Sequence, residues 1–139
     1  MSALRPESRA RARAVQILYS WELAGGLPVR EVALRVARVL GPDPAIEDRA
    51  AALAEAVVAE LPELDRHVAE AAEHWRLERM AAVDRNILRL GIHELLRGEV
   101  PPKVAIDEAV HLAHSFGGSK APAFINGVLD RVAHALGRL

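Results

Sequence analysis

Proline and glycine fall in clusters along this chain, and the intervals they leave are the strongest constraint on its fold. The clusters are Gly25-Gly26-Leu27-Pro28, Gly41-Pro42-Asp43-Pro44, Leu61-Pro62, Gly98 to Pro102, and Gly117-Gly118. Such residues interrupt regular structure. Helical periodicity around them gives segments at 8–24, 29–40, 45–60, 63–74, 79–97, 103–116 and 121–137. Alanine and leucine are abundant, β-branched runs are short, and no long stretch alternates apolar with polar residues, so strands are not expected. Short gaps between amphipathic helices predict one all-α domain over residues 1–139, a bundle of about seven helices. The hydrophobic share of 51% is enough for a core in a chain of 139 residues.

Two stripes and one broad face locate that core. Ile125, Val128, Leu129, Val132 and Leu136 recur at helical spacing, as do Ile106, Ala109, Val110 and Ala113. From Met80 to Leu96 apolar residues cover more than half of the helix circumference, which predicts a central helix. Asp84 and Glu94 fall within that broad arc. A buried carboxylate needs a partner, so Glu94 is expected to pair with an arginine of a neighbouring helix. Asp84, near the helix start, has a dipole-favoured surface position open to it.

Whole classes of function are excluded by composition. With no cysteine there is no disulfide scaffold, thiolate metal site or cysteine nucleophile. The formal net charge of -1 gives no global pull toward nucleic acid or membrane, so any anion site must be local. No apolar run is long enough to span a bilayer. Arg5, Arg9, Arg11 and Arg13 before Ala14 to Trp21 loosely imitate a leader peptide, but Gln16 and Glu22 interrupt the run. The expectation is a mature cytoplasmic protein. Gly117-Gly118-Ser119-Lys120 lacks the spacing of a phosphate-binding loop. Glu108 and His111 form one Glu-x-x-His pair where a two-metal bundle wants two. Asp107, His111 and His114 on one face, or His67 and His74, fit solvated charge partners better than a metal site. Asp107-Glu108 and Glu47-Asp48 fit helix starts, where the dipole favours acids. The expectation is a protein without catalysis, cofactor or metal.

Two features point to nucleic acid. In the first helix Ala14, Leu18 and Trp21 share a face, while Arg9, Arg13, Gln16 and Ser20 lie opposite and are expected to project into solvent. Arginine holds phosphates and stacks on unpaired bases. A solvated helix face is the alternative. In the last helix Phe124 sits at the rim of the apolar stripe, behind the cation Lys120. An aromatic beside a cation suits single-stranded RNA, although geometry alone favours a ring that simply rims the core. If the RNA reading is right, the arginines and the ring are expected to converge on one cradle.

The residues then resemble a known family. Arg9-Ala10-Arg11-Ala12-Arg13-Ala14-Val15-Gln16-Ile17-Leu18-Tyr19-Ser20-Trp21 is similar to the start of the bacterial transcription antitermination factor NusB family. So are Asp84-Arg85-Asn86-Ile87-Leu88-Arg89-Leu90 and His93-Glu94-Leu95. The blocks Val100-Pro101-Pro102-Lys103-Val104-Ala105-Ile106-Asp107-Glu108-Ala109 and Phe124-Ile125-Asn126-Gly127-Val128-Leu129-Asp130 carry the resemblance furthest. It implies two packed helical subbundles and binding to the boxA element of nascent ribosomal transcripts. It implies NusE, a small-subunit ribosomal protein, as partner, within an RNA polymerase complex that suppresses termination. RNA contacts at Arg9, Arg11, Arg13, Lys120 and Phe124 follow from it, as do NusE contacts at Tyr19, Glu78 and Asp84. Some members dimerise, so a homodimer covering the arginine face is one alternative. Another is kinship with the amino-terminal domain of ribosomal RNA cytosine methyltransferases, although these 139 residues hold no α/β domain for methyl transfer. Ala123 stands where some members carry a basic residue, which leaves Lys120 as its nearest substitute.

Overall fold

The computed structural model describes residues 4–73 and 76–139. Seven α-helices run through them: α1 (Pro6–Leu23), α2 (Val29–Leu40), α3 (Glu47–Ala59), α4 (Leu61–Ala71), α5 (Ala82–Arg97), α6 (Pro102–Phe116) and α7 (Ala121–Ala135). A single 3-10 turn, Leu77–Arg79, precedes α5. No strand occurs among the described residues. Proline opens α1, α4, α6 and α7 in the first two positions, where its missing N–H is no loss. Gly98 ends α5 in the left-handed conformation, at a φ of 70°.

The helices form two compact units, Met1–Ala59 and Glu60–Leu139. In the first, α1, α2 and α3 pack on one another. Ala10, Ala14, Ile17 and Leu18 of α1 are buried, together with Ala50, Ala51, Ala54 and Val57 of α3. Alanine-lined faces let the two helices approach closely. Val32, Ala33 and Val36 supply the buried face of α2.

In the second unit α5 packs against α4, α6 and α7, as its broad apolar arc requires. Ile87, Leu88, Leu90, Ile92 and Leu95 are buried on it, with Ile125, Val128, Leu129 and Val132 of α7. Gly91 marks the closest approach: a Cβ there would lie 2.8 Å from Leu129 Cδ1 and 3.6 Å from the Ala109 Cβ. Each fully buried leucine or isoleucine contributes about 1.5–3 kcal/mol of transfer energy. The core also holds polar residues. Buried Arg89 clasps Asp65 of α4 through Nε and Nη2, at 2.7 and 2.9 Å, and donates to Asn86 Oδ1 at 3.2 Å. Buried His93 pairs through Nδ1 with Glu60 Oε1 at 2.7 Å.

The expected helix over 79–97 starts later than its periodicity suggests. Arg85 reaches back and donates to the carbonyls of Leu77 and Met80, both at 3.0 Å. These bonds satisfy the carbonyls of the 3-10 turn, so the turn and α5 remain separate elements. Met80 is buried ahead of the helix rather than inside it.

Candidate nucleic-acid interface

The arginines of α1 do not stand free in solvent, which corrects the expectation for Arg9 and Arg13. The chain between α2 and α3 folds over that face. Arg9 Nε donates to Asp43 Oδ2 at 3.0 Å, and its Nη1 donates to the Leu4 carbonyl at 2.9 Å. Arg13 pairs through Nη1 with Glu47 Oε2 and donates through Nη2 to the Gly41 carbonyl at 3.0 Å. The same Glu47 oxygen accepts the Asp43 backbone N–H at 2.8 Å. Two arginines one turn apart thus meet two acids one turn apart. Exposure separates their roles: the Arg9 side chain keeps 32% of its surface, whereas Arg13 keeps 11%. Arg11 is buried, with Ala10, Ala14 and Leu18 around it in sequence.

The acid at the helix start is also occupied. Glu7 faces Arg49 of α3 at 3.5 Å. A backbone hydrogen bond in the first turn, then the charge and hydrogen bond of Arg49, hold its carboxyl below the usual range. Arg5 is exposed nearby.

In the second unit α6 ends at Phe116, and Gly117 to Lys120 lead into α7. Lys120 is exposed and Phe124 half-buried, one turn into the helix, so the ring is neither wholly core nor wholly free. Phe116 is 37% exposed just before the turn. Gly117 is crowded: a Cβ would lie 2.6 Å from the Ala121 Cβ and 2.9 Å from the Ala113 carbonyl oxygen. Gly118 faces open space.

The residues expected to meet a protein partner lie on different elements. Tyr19 is 40% exposed on α1. Glu78 is exposed in the 3-10 turn. Asp84 in the first turn of α5 is half-buried, and its Oδ1 is buried without a hydrogen-bond partner. That oxygen lies 3.2 Å from where a Gly117 Cβ would stand. Desolvation therefore raises its pKa above the ordinary aspartate value.

Sequence reasoning singled out neither Asp43 nor the buried pairs of Arg89 and His93, and it took Glu47 only as a helix start. No three histidine, aspartate or glutamate side chains among the described residues could hold a metal ion together. His111 and His114 are exposed, and His74 lies outside the described residues. No described helix is long and apolar enough to cross a membrane.

Comparison with known proteins gives one consistent picture. A family model described as the NusB family matches residues 8–134. The transcription antitermination protein NusB of Sorangium cellulosum (strain So ce56) is 44% identical over 133 residues, 95% of this chain and 94% of that relative. The solved structure of T. maritima NusB aligns with a TM-score of 0.82 at 28% identity, covering 95% of this chain and 93% of the other. A crystal structure of the antitermination factors NusB and NusE in complex with dsRNA aligns with a TM-score of 0.82 at 28% identity, covering 96% and 99%.

Proposed function

The chain belongs to the NusB family, and from that membership we propose that it is a transcription antitermination factor binding boxA RNA of nascent ribosomal transcripts. NusE is the proposed partner, and RNA polymerase in the cytoplasm the proposed setting. The observation that carries the reading is likeness to NusB antitermination proteins along nearly the whole chain. The fold's likeness to a NusB that was solved with NusE and RNA supports it.

The side chains suit such a role. Arg9, still about one-third exposed, offers the remaining edge of its guanidinium to a phosphate. Arg11, buried, and Arg13, held by Glu47, are the further proposed RNA contacts of α1. On the second unit, exposed Lys120 and the half-buried ring of Phe124 supply a cation and a stacking surface for an unpaired base. Tyr19, Glu78 and Asp84 are the proposed NusE contacts. With a net charge of -1 the protein alone should hold RNA weakly. A basic partner would enlarge the site and raise the affinity.

Fluorescence anisotropy of a labelled boxA strand tests the residue assignments. Phe124→Ala should weaken binding about tenfold, the worth of one stacked base. Arg9→Gln should weaken binding and flatten the slope of log affinity against log salt by ~0.7, the loss of one phosphate contact. Full affinity in both variants would refute the assignment.

A further inference from the structure

The acids that fold over α1 raise a question that the RNA reading leaves open: why would an RNA-binding arginine be met by a carboxylate? Structural bracing alone does not need two charges at this place. Arg13, 11% exposed, already ties α1 to the start of α3 through Glu47 and to the chain before it through the Gly41 carbonyl. Arg9 and Asp43 are more open, each side chain keeping 32% of its surface, and they meet through Nε and Oδ2 at 3.0 Å. A pair this accessible to water contributes little to folding. It does place a negative charge beside the guanidinium to which a phosphate would come.

We propose that Asp43 is an affinity-determining residue, a built-in counter-charge that competes with RNA phosphate for Arg9. The inference rests on the assignment of Arg9 as an RNA contact. A phosphate approaching Arg9 meets the carboxylate at a separation of a few ångströms. In the high effective dielectric of a site one-third open to water, such a repulsion weakens binding several-fold rather than abolishing it. Carboxylate and phosphate compete for the same planar fork of donors, which can bind either in the same fashion. The counter-charge lowers affinity for any strand whose only attraction is its backbone charge. A strand that also stacks a base elsewhere on the protein can overcome it.

Asp43→Asn isolates this effect. The amide keeps the shape and can still accept the Arg9 Nε hydrogen, so only the charge is lost. The Asp43 backbone N–H to Glu47 and the Asp43 carbonyl, which accepts from Ile46 and Glu47, are untouched. Binding of a boxA strand and of a base-scrambled strand is measured by anisotropy for the wild type, Asp43→Asn, Arg9→Gln and the double variant. Thermal melts confirm that each is folded. Asp43→Asn is expected to tighten both strands by about three- to tenfold. In the Arg9→Gln background the same change should have a smaller effect, because the contested donor is gone. Unchanged or weaker binding by Asp43→Asn, with Arg9→Gln impaired, overturns the counter-charge while leaving Arg9 as an RNA contact. Full affinity in Arg9→Gln overturns the RNA assignment of Arg9 itself, and the competition falls with it.

Discussion

Gly117 and Gly118 are adjacent, but the structure gives them opposite tolerances, and Gly117→Ala is the sharper probe of how the end of α6 positions α7. The backbone at Gly117 has a φ of -93° and a ψ of 177°, open to any residue, so no dihedral strain enters. The obstacle is space. A new methyl would stand 2.6 Å from the Ala121 Cβ and 2.9 Å from the Ala113 carbonyl oxygen. Carbon atoms normally meet at about 3.5–4.0 Å, so the overlap approaches an ångström. Neither neighbour is the end of a flexible side chain. Ala121 is the first residue of α7, and the Ala113 oxygen already accepts the Gly117 N–H at 2.8 Å. The backbone must shift, at the cost of about 1–3 kcal/mol typical of overpacking. With a urea m-value near 1.5 kcal/mol/M, the midpoint should fall by ~0.7–2 M. At Gly118 a methyl meets nothing within 4 Å, and its φ lies outside the left-handed region. Gly118→Ala should leave stability unchanged or raise it by up to ~1 kcal/mol, through reduced freedom of the unfolded chain. Because α7 carries Phe124 just beyond the crowded contact, Gly117→Ala should also weaken RNA binding. Equal urea midpoints for the two variants would refute the steric reasoning.

Two further outcomes follow from buried charge. Burial raises the Asp84 pKa in the folded protein, so the ionised form weakens the fold above that pKa. The penalty lifts as pH falls through the folded value. Asp84→Asn should therefore melt higher than the wild type at pH 7, with the gain vanishing near pH 3; a variant that melts lower at pH 7 would show that Asp84 is satisfied as an anion. Asp65→Ala strands the 10%-exposed Arg89 side chain and should cost about 2–3 kcal/mol in urea unfolding, the usual loss for a broken buried pair reduced for the partial exposure of Asp65. Glu70→Ala, which breaks the exposed pair with Arg66, should cost under ~0.5 kcal/mol; similar losses in both would contradict the burial argument.

The helices were legible because their boundaries are written locally. Pro102, Gly98 and the clusters around residues 25, 41 and 117 stop or start helices through their own backbone chemistry, and each observed helix lies close to its expected segment. The broad arc of α5 likewise identified a central helix, because a face apolar on so many sides has to be covered. The arginine face was only half legible. Periodicity places Arg9 and Arg13 opposite the stripe of Ala14 and Leu18, but no local rule says that a loop thirty residues on will cover them. One signal was available: Asp43 and Glu47 repeat the four-residue spacing of Arg9 and Arg13, with opposite charge. Arg11 carried its own clue, standing three residues before Ala14 on the edge of the buried stripe. Arg89 and His93 were hidden for a different reason. Their partners, Asp65 and Glu60, are distant in sequence, and a basic residue on an apolar helix shows its need for an acid without showing which acid meets it.

Under the proposed function the protein discriminates the base sequence of an unpaired strand, not merely its charge. The most direct measurement compares the affinity of the protein with NusE for a boxA strand and for a base-scrambled strand of equal length, at one fixed salt concentration. Clearly tighter binding of boxA is expected, with the preference reduced by Phe124→Ala. Equal affinity for the two strands would contradict it.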